Sequence, residues 1–166
     1  IVCLALVRSY LDDFDISREL LTKIETLNIH HTWTGSSAYF LQKIGQTYTN
    51  LGDLDRANII YQQTLTFCQT GNYLQTQGRT LTSLAQLDRL QGNLESAQTT
   101  HLQSIEILDR LGAKCDLAEA YYQAGLTWQQ AGDLTQSHIY GDLHARKLFT
   151  EIDAAQQLAK MKARIY

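Results

Sequence analysis

Apolar residues recur along this chain at three- and four-residue intervals, and short polar turns interrupt them at regular points. Ala38, Leu41, Ile44, Gly45 and Tyr48 mark one helical face, and Ala57, Ile60, Tyr61, Thr64 and Leu65 mark another. The pattern predicts helices near 1–10, 14–29, 36–50, 54–69, 74–91, 94–110, 116–131, 134–150 and 154–166. The chain has no proline at all, which fits long helical segments punctuated by glycine.

The turns repeat. Residues 51–57 read LGDLDRA, 91–97 read QGNLESA and 131–137 read AGDLTQS. Laid in rows of forty, Gly52, Gly92 and Gly132 share a column, followed by Asp53, Asn93 and Asp133, and then by Leu54, Leu94 and Leu134. Three places on stand Ala57, Ala97 and Ser137. A degraded copy, LDDFDIS at 11–17, has Asp12 in the glycine place and Ser17 in the small one. Each column has a mechanical meaning. Glycine ends a helix in the left-handed conformation at no Cβ cost, and the Asp or Asn after it caps the next helix. Asp55 and Glu95 then sit in a first turn, where the helix dipole favours an acid. Return connections are expected at Gly35, Gly71 and Gly112, with DLAE at 116–119 in the form of a capping box. A second set of small residues, Gly45, Ala85 and Gly125, recurs on the first helix of each pair. It would let the two helices of a pair approach closely while larger neighbours project outward.

The run from Leu41 to Tyr61, LQKIGQTYTNLGDLDRANIIY, resembles the tetratricopeptide repeat. Leu41, Ile44–Gly45, Tyr48, the turn, Ala57 and Tyr61 stand in that family's order. The next copy offers Leu81, Leu84, Ala85, Ala97 and His101, and the one after it Tyr121, Ala124, Gly125, Trp128 and Ser137. Asp88 departs from the family pattern where an aromatic is expected, Gly141 departs where a large residue is expected, and the family's proline is missing. The usual repeat has about 34 residues. A forty-residue version resembles repeats of cell-polarity adaptors and of large bacterial ATPase, cyclase and transcriptional regulators. HEAT-type repeats share the period but lack this small-residue arrangement across a Gly-Asp turn. The resemblance implies an all-α fold, a right-handed solenoid of antiparallel helix pairs forming one domain over 1–166. Its repeats would lie near 1–30, 36–70, 74–111 and 116–151, with a capping helix at 154–166 carrying Lys160, Lys162 and Arg164. The opening at Ile1 inside a helical pattern reads as an excerpt of a longer protein.

In such an array the first helix of each pair lines the concave face. The residues left for it are Tyr39, Gln42, Gln46, Thr49 and Asn50, then Arg79, Thr82, Gln86 and Arg89, then Glu119, Tyr122, Leu126 and Gln129. Amides can serve an extended peptide backbone, and arginine grips carboxylates with two parallel hydrogen bonds. Arg79 and Arg89 lie ten residues apart, about 15 Å along a helix, so they suit two separated acidic features. The expected partner is therefore a peptide or protein segment with acidic features, or an adjacent domain of a parent regulatory protein.

Composition narrows the alternatives. A formal net charge of -3 gives no electrostatic case for nucleic acid or an anionic membrane, and IVCLALV at the start is too short to span a bilayer. Three cysteines without paired spacing favour a reducing, cytoplasmic setting. His30 and His31 beside Trp33 are expected in a loop; His101, His138 and His144 are scattered, and no metal-binding or phosphate-cradling motif accompanies them. Cys115, just before DLAE, is the better placed of the thiols for reactivity, with an inert role preferred. The expectation is a non-enzyme with no cofactor and no metal. Two further readings stand beside peptide capture. One is self-association or intramolecular docking through apolar Ile1, Val2, Leu4 and Leu6. The other is a small-inducer sensor whose Tyr39 and Tyr122 stack a flat or sugar ligand.

Overall fold

A computed structural model describes residues 1–26 and 35–163. His30, His31, Trp33 and Arg164 lie outside the described residues. Those described contain helices and turns and no strand. The helices are α1 (Val2–Tyr10), α2 (Phe14–Thr26), α3 (Gly35–Asn50), α4 (Leu54–Gly71), α5 (Leu74–Leu90), α6 (Leu94–Arg110) and α7 (Lys114–Gln130). A short α8 (Leu134–Ser137) then runs into a π-helical segment (His138–Ala145), α9 (Arg146–Glu151) and finally α10 (Ala155–Ala163). The fold is all-α, with helices packed in sequence-adjacent pairs. The chain forms two compact units, Ile1–Ser83 and Leu84–Tyr166, divided within α5.

The turns follow from left-handed residues. Gly52, Gly92 and Gly132 have φ of 77°, 85° and 83°, and Asp12 adopts 57° in the degraded copy. Asp53 and Asp133 cap the following helices by accepting from the main-chain N–H of Arg56 and Gln136. Asn93 holds the same place without a side-chain cap bond. Of the return turns, the one at Gly112 is left-handed as expected, and the others depart in detail. Gly35 opens α3, and Gly71 closes α4 while Asn72 takes the left-handed φ of 55°. Gly112, at 62°, starts α7 early, so Ala113 is its N-cap and Asp116 of DLAE lies inside the first turn. Asn and Asp do this work because a short polar side chain tolerates the left-handed region.

In unit 1, α1 packs on α2 and α3, and α3 packs on α4. The small residues set the distances. Ser17, fully buried, donates to the Ala5 carbonyl on α1 at 2.9 Å. Gly45 on α3 faces Tyr61 on α4 so closely that a Cβ there would stand 2.4 Å from the ring's Cε1. On α1, Leu6 is buried, whereas Ile1, Leu4, Val7 and Tyr10 are exposed.

In unit 2, α6 packs on α7, and α7 packs along the whole of α8, the π segment and α9. Ile105, Leu108, Leu117, Ala120, Ala124 and Trp128 form one core cluster, and Ala118, Ala145, Phe149 and Met161 another. An aromatic ladder holds the π segment to α7. Tyr140 stacks on Trp128 with centroids 4.6 Å apart, and His144 stacks on Tyr121 at 4.8 Å.

The π segment has an arithmetic cause. Left-handed residues fall at 52, 72, 92, 112 and 132, a spacing of 20, but the next is Asp153, one residue late. Upstream of the π segment the forty-residue register holds, with Ala57, Ala97 and Ser137 in one column. Downstream, the buried positions Thr64, Ser104 and Ala145, and then Cys68, Leu108 and Phe149, have slipped by one. One extra residue lies between Ser137 and Ala145, and a π turn absorbs it without rotating the apolar face out of the core. Deleting Leu143, whose side chain is 54% exposed, is therefore expected to restore an unbroken α-helix and to keep most of the thermal stability. Deleting Leu102 from α6, also exposed, has no insertion to cancel and should rotate buried residues into solvent. Thermal unfolding followed by circular dichroism compares the two; equal losses would refute the inserted-residue account.

Candidate functional site

The residues predicted for a ligand face divide into those engaged inside a unit and those that remain accessible. In unit 1, Gln42 is only 4% exposed and donates to Ser83 Oγ at 3.1 Å; its own Oε1 is buried without a hydrogen-bond partner. Thr82 is buried as well. These two offer almost no surface to a ligand, because close helix spacing encloses even polar side chains. Thr49 bonds the Gly45 carbonyl of its own helix and the Tyr61 hydroxyl, each at 3.1 Å. Asn50 donates to Ser9 on α1.

Tyr39 is different. Its half-buried ring carries two cations, Lys43 Nζ at 5.5 Å and the Arg79 guanidinium carbon at 5.0 Å, one from α3 and one from α5. Lys43 also donates to Gln46 at 3.2 Å, which brings a third predicted residue to the same patch. Lys43 escaped the sequence reading, although it lies one helical turn from Tyr39, where side chains meet.

In unit 2, Arg89 donates to Gln123 Oε1 at 3.2 Å, and Gln123 donates in turn to Glu119 at 2.8 Å. The Arg89 carbonyl accepts from Gln130. This arginine braces α5 against α7, a role its sequence position does not reveal. Gln86 is half-buried on α5. Tyr122, Leu126 and Gln129 line a cavity of about 90 Å³ together with Gly125, Ser137, Gly141, Asp142 and Met161. The Arg146 guanidinium at 2.7 Å, with His138 on the other oxygen at 3.1 Å, holds the Asp142 carboxyl below its usual range.

Burial alters the proton affinity of two further groups. His101 is fully buried on α6, with Nε2 3.1 Å from Thr127 Oγ1, and burial with the Arg89 charge lowers its pKa to about 3. Burial pushes the Cys68 thiol up to about 11, whereas Cys3 and Cys115 are exposed and all three thiols are unpaired. Among the described residues no His, Cys, Asp and Glu side chains gather into a group that could hold a metal ion, and no helix is long and apolar enough to cross a membrane. No protein-family model matches the chain. No curated protein matches it either.

Proposed function

We propose that the chain is a non-catalytic interaction module that holds a peptide or partner segment with acidic features against the first helices of its pairs. The same reading takes the array as a right-handed solenoid of four tetratricopeptide-like repeats and a capping helix, serving a larger cytoplasmic regulatory protein. The Tyr39 cluster carries the proposal. Two cations from two helices over one half-buried ring set positive potential beside apolar surface, which suits a carboxylate flanked by an apolar side chain. Against a catalytic role, His101, with the proton affinity furthest from its ordinary value, is sealed from any substrate.

Fluorescence anisotropy with labelled acidic peptides tests the assignment. Arg79→Ala is expected to weaken binding about tenfold, a charge-assisted hydrogen bond's usual contribution. Arg89→Ala should leave affinity near that of the parent and lower stability instead, since its guanidinium bonds Gln123. Unchanged affinity in both Arg79→Ala and Tyr39→Ala would remove the site.

A further inference from the structure

One column of the forty-residue register holds Tyr61, then His101, then Gly141. The first two rings are buried, and the third position supplies no side chain. In unit 1 the Tyr61 ring lies on Gly45 and its hydroxyl meets Thr49. Gly125 and Gln129 occupy the register positions of Gly45 and Thr49 eighty residues on. There the main chains close part of the gap, since a Cβ on Gly125 would come within 2.8 Å of Gly141 Cα. What remains is the cavity of about 90 Å³, open on one side and bordered by the π segment.

We propose that this cavity is a binding site for a single phenol ring. Two of its lining residues are glycines, Gly125 and Gly141, which offer main chain with no side chain in the way. Leu126, the Met161 thioether and the Tyr122 ring add apolar and aromatic contact, with sulfur and ring edges suited to an aromatic guest. Gln129, at the register position of Thr49, borders the cavity with an amide that can donate to or accept from the polar end of the guest. Asp142 does not turn the site toward amines, because Arg146 and His138 already take its two oxygens. Size agrees with partial insertion. A closed cavity of roughly 150 Å³ admits a whole benzene; the smaller open one admits one edge of the ring and leaves the rest, with its para substituent, outside. The ring can therefore come from a free phenolic molecule or from a tyrosine of a partner segment. The claim involves Tyr122 and Gln129 but does not rest on peptide capture at Tyr39.

Met161 is the chain's one methionine, so its methyl group gives a single, assigned NMR signal in the intact protein. Titration with p-cresol is expected to shift that signal saturably, and toluene to bind about tenfold more weakly for want of the hydroxyl. Gln129→Leu should bring p-cresol down to the level of toluene, and Gly141→Tyr should abolish the shift by supplying the ring internally. Gln129→Leu alters an exposed side chain and keeps the test sharp should Gly141→Tyr not fold. A capped peptide with one tyrosine separates the sources: a matching shift assigns the guest to a partner's tyrosine, and a shift with p-cresol alone assigns it to a free phenol. No saturable shift from either probe, or equal affinity for toluene and p-cresol, overturns the proposal. An acidic peptide without tyrosine reports on Tyr39 separately, so the two readings fail independently.

Discussion

Lowering the pH from 6.5 to 4 is expected to remove about 3 kcal/mol of folding stability through His101 alone. The Thr127 hydroxyl donates its one proton to the Gln123 carbonyl at 3.1 Å. It must therefore accept from His101 Nε2, which fixes the neutral tautomer with the hydrogen on that nitrogen. Nδ1 is then a bare lone pair, buried and without a partner. Protonating it would place a cation in an enclosed site, facing the Arg89 charge and no acceptor. The folded pKa of about 3 lies below the ordinary 6.5, so between these values the unfolded chain binds the extra proton. Stability contributed by the neutral ring is complete above pH 6.5 and falls steadily as the pH drops toward 3, by about 5 kcal/mol over the whole window. Carboxylates with lowered pKa, Asp142 among them, add losses of the same sign at the acid end. The comparison is therefore between the parent and His101→Gln, whose amide can still donate to Thr127. Urea unfolding from pH 7 to 4 should show His101→Gln less stable at neutral pH, nearly flat down to pH 5, and more stable than the parent at pH 4. Identical slopes in the two proteins would show that the imidazole is not held neutral.

His101 also shows how far the sequence was legible. Its place in the aromatic column was plain from the register. Its missing partner was not, because that depends on where Thr127 points its proton. The hairpin turns were legible for the same reason: Gly52, Gly92 and Gly132 act on the main chain alone, and so does Asp12. Asn72 and Asp153 were harder, since Asn and Asp serve as helix caps as readily as left-handed turns. The π turn changes no composition and shows only as a one-residue slip between the Ala57 and Thr64 columns. On the candidate site, helix faces put Tyr39 and Arg79 among the residues of one face, and the two do lie against each other. They did not separate these from Gln42 and Arg89, whose partners sit on other helices, and they said nothing of the glycine contacts that set the spacing within a pair.

Those glycine contacts make Gly125→Ala the most damaging conservative change expected in unit 2. In an exposed helix interior, glycine to alanine gains up to about 1 kcal/mol. Here the new Cβ would lie 2.8 Å from both N and Cα of Gly141 and 3.2 Å from the Ser137 carbonyl oxygen. All three are main-chain atoms, so no rotamer change relieves the overlap. The π segment must move off α7, and Tyr140 with it from Trp128. Overpacking of this kind costs about 1–3 kcal/mol, and a rigid main-chain neighbour places it at the upper end, leaving a net loss of about 2 kcal/mol. Gly141→Ala is the control, because its Cβ would stand 3.9 Å from Gly125 Cα, an ordinary contact. It should be neutral or stabilise by about 0.5 kcal/mol through the unfolded state. Gly45→Ala strikes a side chain instead, the buried Tyr61 ring at 2.4 Å, and predicts its own rescue. Adding Tyr61→His recreates the Ala85 and His101 combination of the next copy and should recover much of the loss. Urea midpoints for the four variants decide the matter. If Gly125→Ala and Gly141→Ala lose stability equally, the close crossing of α7 and the π segment is not what holds this unit together.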